Sequence, residues 1–366
     1  MNVLVAGGAG YIGSHTAKAL ARAGYQPVVL DDLSTGHAHN VRWGPFVQAN
    51  LVDTAAIREV LRDYEIEAVI HFAASALVGE SMARPLAYFQ NNVGGTISLL
   101  ESMLSVGVNR IVFSSSCATY GMPKQIPIPE DHSRTPVNPY GESKFFAEKM
   151  LEWMGKAGHL RWVALRYFNA AGADPEGELG EEHDPETHLI PSAIAAALGQ
   201  REYLEICGVD YPTPDGTALR DYVHVTDLAA AHVSALRYLA SGQENLALNL
   251  GTGKGTSVRE IVAMVEKVSG RRVPKRDGSR RPGDPPILVA KSELAGRVLH
   301  WKPDCSNLEA IVETALRWHF RGRSAPVGSK ASAVAGRLES EVTSCHRQPN
   351  SNFNSAVRVL RPAQIP

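Results

Sequence analysis

The chain opens on a feature that leaves few folds available. Asn2–Ala6 is a short apolar run. Gly7-Gly8-Ala9-Gly10-Tyr11-Ile12-Gly13 follows, and then "SHTAKALARAG", an amphipathic pattern from Ser14 closed by Gly24. An apolar run bounded by turn residues predicts a strand buried on both faces of a parallel sheet. Gly7, Gly10 and Gly13 stand three apart, and Gly8-x-Gly10-x-x-Gly13 fits the same pattern. Glycine permits a tight turn and lets backbone N–H groups approach a pyrophosphate at a helix N-terminus. A lone GxGxxG says little; one that follows a first strand and opens a helix is much more specific. Asp31 closes the second apolar run, "QPVVLDD", 18 residues after Gly13. A carboxylate there accepts hydrogen bonds from ribose hydroxyls and repels a 2′-phosphate, which favours NAD over NADP. Asp32 is the fallback. No arginine or lysine follows at once, which agrees.

The rest of the first half repeats this rhythm. Helical "TAAIREVLRDY", strand "AVIHFAA", helical "NNVGGTISLLESMLSVG", strand "RIVFSSS", helical "SKFFAEKMLEWMGKAG" and strand "RWVALRYFN" follow in turn. Such alternation predicts an α/β fold with a Rossmann-like, doubly wound parallel sheet. After about Asn169 the rhythm breaks. "AAGADPEGELGEEHDPETH" reads as loop and "IPSAIAAALGQ" as helix. "DYVHVTDLAAAHVSALRYL" reads as a strand and then a helix capped by Thr226 or Asp227. "LALNLGTG" is a strand and "SVREIVAMVEKVSG" a helix after Ser257. The expected organisation is an NAD-binding domain over 1–168, completed by parts of 218–252. A smaller mixed α/β substrate domain covers 169–323, and a flexible tail 324–366. A chain of 366 residues has ample core for this.

Composition limits the partners. A net charge of −1 gives no bulk attraction to nucleic acid or to an anionic membrane. An anionic substrate then requires a local basic site. Four cysteines without CxxC spacing read as reduced thiols in the cytoplasm. The N-terminus shows no signal-peptide pattern, and no run reaches the roughly 18 apolar residues of a membrane span. No metal is expected.

The reactive groups are sought where doubly wound sheets bind ligands, at the carboxyl edge. "FSSSCATYG" places hydroxyls there, and "YGESK" follows. Tyr140 and Lys144 are four apart, so a helix puts them on one face. A phenol titrates near pH 10 in water, so a base at neutral pH needs positive charge nearby. Lys144 and an oxidised nicotinamide supply it, and a serine hydroxyl holds the substrate oxygen.

The stretches "VLVAGGAGYIGSHT" and "PYGESK" resemble the extended short-chain dehydrogenases/reductases at large. "LRYFNAAGA" and "GTALRDYVHVTDLA", with "VIHFAA", "VGESM", "NNVGGT", "NLGTG" and "RRPGD", narrow the resemblance to the UDP-glucose 4-epimerase family, from Met1 to about Arg321. That resemblance implies interconversion of UDP-galactose and UDP-glucose through a transient 4-keto sugar. It makes Tyr140 the base, Lys144 its electrostatic partner and Ser116 the hydrogen-bonding hydroxyl. Cofactor contacts fall on Gly7, Gly10, Tyr11, Ile12, Gly13, Asp31, Asn50, Leu51, Phe72, Ala73, Asn91 and Phe168, together with the catalytic three. Substrate contacts fall on Ser116, Tyr140, Asn169, His188, Leu189, Arg220, Arg281 and Asp284. The arginines suit bidentate diphosphate contacts.

Three departures from the family pattern stand out. Ala49-Asn50 replaces a "GD" pair, Ala76 replaces a lysine found in some relatives, and Thr187-His188-Leu189 stands where some carry "NNL". Leu288 borders the expected sugar 2-position and leaves N-acetyl sugars open. Epimerases of other UDP-sugars would use the same three residues. Dehydratases and decarboxylases of this fold add carboxylates beside the serine, and "SSSCATYG" has none. A non-catalytic NAD sensor would usually lack the Tyr–Lys pair. The resemblance also implies a homodimer through the helices of "NNVGGTISLLESM" and "SKFFAEKMLEWM".

Overall fold

Seven strands lie side by side and all run parallel in the structure, a computed structural model that describes residues 1–281 and 283–321. They are β1 (Asn2–Ala6), β2 (Gln26–Asp31), β3 (Phe46–Gln48), β4 (Ala68–His71), β5 (Arg110–Ser116), β6 (Arg161–Tyr167) and β7 (Leu246–Leu250). Their order across the sheet is β7-β6-β5-β4-β1-β2-β3. β1 shows why. Leu4 and Ala6 belong to the core on one face, Val3 and Val5 to the core on the other, and all four are fully buried. A strand apolar on both faces is stable only with helices on both sides. The chain winds outward from β1 through β2 and β3, then restarts on the other flank with β4. That reversal opens a crevice beyond the carboxyl ends of β1 and β4.

Several element boundaries differ from the expected ones, each for a local reason. The first helix spans Tyr11–Arg22, taking in the end of the glycine turn. The helix expected from Ser143 begins at Pro139 and runs to Lys156. Asn138 caps it by accepting a bond from Gly141 N at 2.8 Å, and proline suits the first helical position. The helix expected from Asn91 opens with a π-helical turn, Phe89–Gly94, before the α-helix Gly95–Val106. Asn92 is pulled out of register there by bonds to Ser75 and Ser143. The helix Val225–Ala240 is capped by His224, whose Nδ1 accepts from Thr226 N at 3.1 Å, rather than by Thr226 or Asp227. Ser257 caps its helix as expected, in a reciprocal pair with Glu260.

The second half is mixed, with short strand pairs. Asn169–Ala171 runs parallel to Tyr222–His224. Leu219–Arg220 lies between Thr256–Ser257 and Ile287–Leu288, and Leu204–Cys207 pairs with Lys275–Gly278. Helices Leu189–Ala197, Val258–Ser269 and Leu308–Arg321 share a third core. Of the expected loop over 170–188, Ala170 and Ala171 lie in the short strand and 172–188 form no regular element. Among the described residues no helix is long and apolar enough to cross a membrane. The expected tail, 324–366, lies outside the described residues.

Candidate active site

The glycine turn can be tested atom by atom. Gly7 has φ +81°, and a Cβ there would stand 2.5 Å from Ala73 N. A Cβ on Gly13 would stand 2.2 Å from Gly7 O. Both positions therefore exclude every other residue. Above Gly10 a Cβ would meet only Gly7 O, at 3.5 Å, so the turn is open on that side. The helix behind it has no side-chain cap and no acidic residue in its first turn. Its N–H groups are left for an anion. Asp31 ends β2 buried, with Oδ2 accepting from Ala9 N at 3.0 Å and Oδ1 from Leu33 N at 2.9 Å. Burial raises its pKa while those two bonds pull it down. The open cradle, the uncapped helix and the braced carboxylate fit a dinucleotide with an unphosphorylated ribose.

The other expected cofactor residues surround this crevice. Phe72 N and Ala73 N donate to Ala6 O at 2.7 and 3.0 Å, joining the ends of β1 and β4. Leu51 is buried, and Asn50 Nδ2 donates to Asp32 at 2.7 Å. Asn50 Oδ1 already accepts from Val52 N at 3.0 Å, so one lone pair is left for an adenine amine. Asn91 is exposed, while its neighbour Asn92 is spent on Ser75 and Ser143.

Ser116 ends β5, Tyr140 lies in the first turn of the helix Pro139–Lys156, and Lys144 follows one turn later. The Ser116 hydroxyl accepts from Ala118 N at 3.2 Å and lies near enough to the Tyr140 phenol to act on its pKa. Lys144 is buried. It donates to Ser114 O at 2.8 Å, with Nζ 4.9 Å above the Phe113 ring. Burial pushes the ammonium down to about 7, partly opposed by Glu148. Burial likewise pushes the Tyr140 phenol up, with Tyr167 adding to it and Ser116 opposing. The expected lowering by Lys144 does not appear among the causes, and burial sets the direction. A phenolate here depends on further positive charge arriving with the cofactor.

The sequence reading missed what stands behind this pair. Glu148 continues the Tyr140–Lys144 spacing by one more turn and is fully buried. It binds Ser115 Oγ, Arg166 Nε at 2.9 Å, Arg166 Nη2 at 2.6 Å and Arg134 Nη1 at 2.6 Å. Arg166 Nη1 reaches Tyr120 OH at 2.8 Å, which donates to Asn249 at 2.7 Å. The signal available was that Tyr-x-x-x-Lys-x-x-x-Glu keeps one helix face.

On the substrate side, Phe168 lies in a small apolar cluster with Cys117, Tyr120, Ile128, Leu288 and Ala290. Leu288 thus packs beside the residue that follows Ser116. Asn169 begins the short strand beyond β6. Arg220 Nη2 pairs with Asp284 Oδ1 at 2.5 Å, and its charge lowers the Cys117 thiol against the rise caused by burial. Its strand is held by fully buried Asp221, which accepts from Thr252, Gly253 and Ala290. Arg281 is exposed nearby, its carbonyl accepting from Asp284 N at 3.2 Å. Leu189 begins a helix and His188 precedes it, with Nδ1 turned to Glu181 at 2.8 Å and Glu186 at 3.1 Å.

The sheet order, its crevice and the hydroxyl–phenol–ammonium set beside it define an extended short-chain dehydrogenase/reductase. The chain belongs to the NAD dependent epimerase/dehydratase family, which it matches over residues 3–251. It is 52% identical over 320 residues to a UDP-glucose 4-epimerase of Rhizobium meliloti, covering 87% of this chain and 97% of that one. Among solved structures it is similar to the Brucella ovis UDP-glucose 4-epimerase in complex with NAD, with a TM-score of 0.84 at 55% identity. That match covers 87% of this chain and 98% of the other. The Bifidobacterium longum UDP-glucose 4-epimerase in complex with NAD+ and UDP matches with a TM-score of 0.84 at 36% identity, covering 88% and 98%.

Proposed function

We propose that this protein interconverts UDP-galactose and UDP-glucose by NAD-dependent epimerisation at C4. The observation that carries the reading is Tyr140 beside Ser116, with Lys144 buried behind it, next to a dinucleotide crevice. It is supported by close relatives named for that activity. The chemistry NAD supplies when bound is reversible acceptance of the C4 hydrogen with its electron pair. Tyr140 removes the proton from the 4-hydroxyl and later returns it. Ser116 holds the 4-oxygen by a hydrogen bond. Lys144 keeps positive charge under the phenol and reaches the nicotinamide ribose. No Asp or Glu lies among Ser114–Gly121, so no group there drives elimination or decarboxylation from the keto sugar. Two stereoisomers exchange, and the cofactor ends each cycle unchanged.

We assign cofactor binding to 1–168 with parts of 218–252, and nucleotide-sugar binding mainly to 169–323. Asp31 takes the adenosine ribose, Asn50 and Leu51 the adenine, and Asn91 and Phe168 the nicotinamide end. Asn169, His188, Leu189, Arg220 and Arg281 face the sugar diphosphate, and Asp284 the uridine ribose. A homodimer is supported by exposed apolar residues on the two helices already named. Ile97 and Leu104 on one, and Phe146 and Trp153 on the other, are each seven apart. That spacing draws an apolar stripe along each helix. A cytoplasmic location agrees with the unbridged thiols of Cys117 and Cys207.

The test supplies UDP-galactose to purified, cofactor-loaded protein and couples product to UDP-glucose dehydrogenase. NADH should accumulate steadily in the coupled reaction. No turnover with cofactor bound would overturn the assignment.

A further inference from the structure

We propose that Glu181, His183, Glu186 and His188 form a binding site for one divalent transition cation, zinc foremost. The sequence reading expected no metal; the geometry argues otherwise. All four residues come from one eight-residue stretch of the 172–188 connection, and their donor atoms lie within 4.8 Å of one another. The Nδ1 atom of His188 is 2.8 Å from Glu181 Oε1 and 3.1 Å from Glu186 Oε1. The Nδ1 atom of His183 is 3.2 Å from the same Glu181 oxygen and 3.9 Å from Glu186 Oε2. Four ligands placed tetrahedrally around zinc at about 2.0–2.1 Å stand about 3.3 Å apart. These four of the six separations, which use both Glu186 oxygens, bracket that value without any cation to impose it.

His183 supplies an independent reason. Its Nδ1 is buried and has no well-aligned hydrogen-bond partner despite the nearby carboxylate. That is a poor arrangement for a hydrogen bond and a suitable one for two ligands sharing a cation. The two imidazole rings are 4.9 Å apart and tilted by 48°, so both can aim at one point. Against the effect of burial, Glu181 and Glu186 hold His188 up at about 10 in the metal-free chain, so cation binding displaces its proton; the two carboxylates then carry the charge that one divalent cation cancels. Imidazole donors favour zinc and its neighbours over magnesium or calcium.

The surroundings hold this stretch in place. His37 Nε2 bonds the Glu182 carbonyl at 2.7 Å, and His39 Nε2 the Glu182 carboxylate at 2.7 Å. On the other side Tyr11, from the glycine turn, presents its ring edge to His183 and donates to Gly172 O at 2.6 Å. The site thus ties the connection that leads to His188 and Leu189 onto the cofactor turn. It is a four-ligand arrangement on a partly exposed connection, with a structural role rather than a place in the chemistry.

Tag-free holoenzyme is titrated with zinc against a chromophoric chelator, and cobalt(II) is added in parallel for its visible absorption. One zinc per chain should be retained, with cobalt bands of four-coordinate intensity. His183→Ala and Glu186→Gln should each weaken binding at least tenfold. Glu186→Gln keeps the side-chain shape, so it serves if His183→Ala fails to fold. A wild-type chain that retains no zinc against the chelator overturns the proposal, as does equal retention in Glu186→Gln. The four groups would then share protons only. Either result leaves the epimerase assay unaffected as a test of the main reading.

Discussion

The two sides of the crevice are built differently. On the cofactor side, the groups expected to meet the ligand are held by backbone. Asp31 is braced by two N–H groups, Phe72 and Ala73 are fixed to Ala6, and Gly7 and Gly13 admit no side chain. On the substrate side, charged groups hold one another. Arg220 grips Asp284, and His188 faces Glu181 and Glu186. The first side is preformed, whereas on the proposed assignment the Arg220–Asp284 pair exchanges partners to admit a UDP-sugar. Binding energy is therefore spent on rearrangement mainly at the diphosphate end. The sharpest challenge is to the preformed side. Tyr140→Phe should lose about 10²–10⁴ in turnover, the usual worth of a positioned acid/base group, while bound cofactor and circular dichroism stay unchanged. Unaltered turnover would remove the chemistry from that side altogether.

The buried network behind Lys144 ranks next. Removing one partner of a buried ion pair leaves an uncompensated charge, at about 3–5 kcal/mol. Glu148→Ala strands Arg166 and should lower chemical-denaturation stability by that amount. Glu152→Ala removes a partner of the same Arg134 at a position 22% exposed, and should cost under about 1 kcal/mol. Equal effects would mean that Glu148 is not the anchor of the network. On the other side of the crevice, Arg220→Ala should raise KM for UDP-galactose by roughly 10–100-fold with little change in kcat. That matches the ~1.5–3 kcal/mol of a charged hydrogen bond. Asp284→Ala removes the proposed ribose contact but also frees Arg220, so its KM effect should be smaller. A larger effect from Asp284→Ala would make the carboxylate the principal anchor and end the idea of partner exchange.

What the sequence revealed follows the same division. Residues that must be one type because backbone presses on them, such as Gly7 and Gly13, were legible from spacing alone. So was the Tyr140–Lys144 face, because helical periodicity is local. Glu148 went unread although it keeps that periodicity. Its partners Arg166 and Arg134 come from a strand and a loop, and no local pattern joins them. The same limit hid His224 as a helix cap and the π-helical turn at Phe89–Gly94, where Asn92 bonds the distant Ser75 and Ser143. It hid the Glu181–His188 cluster too, since loop residues carry no period from which convergence can be read.

The smallest expected effect concerns Lys144 alone. Burial holds its folded-state pKa at about 7, below the ordinary 10.5. The native chain therefore binds fewer protons than the unfolded one between those values. The stability tied to this group is fully present above 10.5 and is lost as pH falls towards 7. The buried histidines His15, His71, His224 and His232 are depressed to about 3–4, so their windows close below pH 7. Cys117, raised to about 12, begins to act only near the ordinary thiol value of 9.0. Between pH 7.5 and 8.5 the cofactor-stripped protein should gain stability relative to Lys144→Met, by on the order of 1 kcal/mol per pH unit at most. Contributions common to both proteins cancel in the difference. Denaturant titrations at three pH values measure it. A flat difference would mean that Lys144 keeps its proton without the cofactor, so that the charge under Tyr140 is as preformed as the glycine cradle.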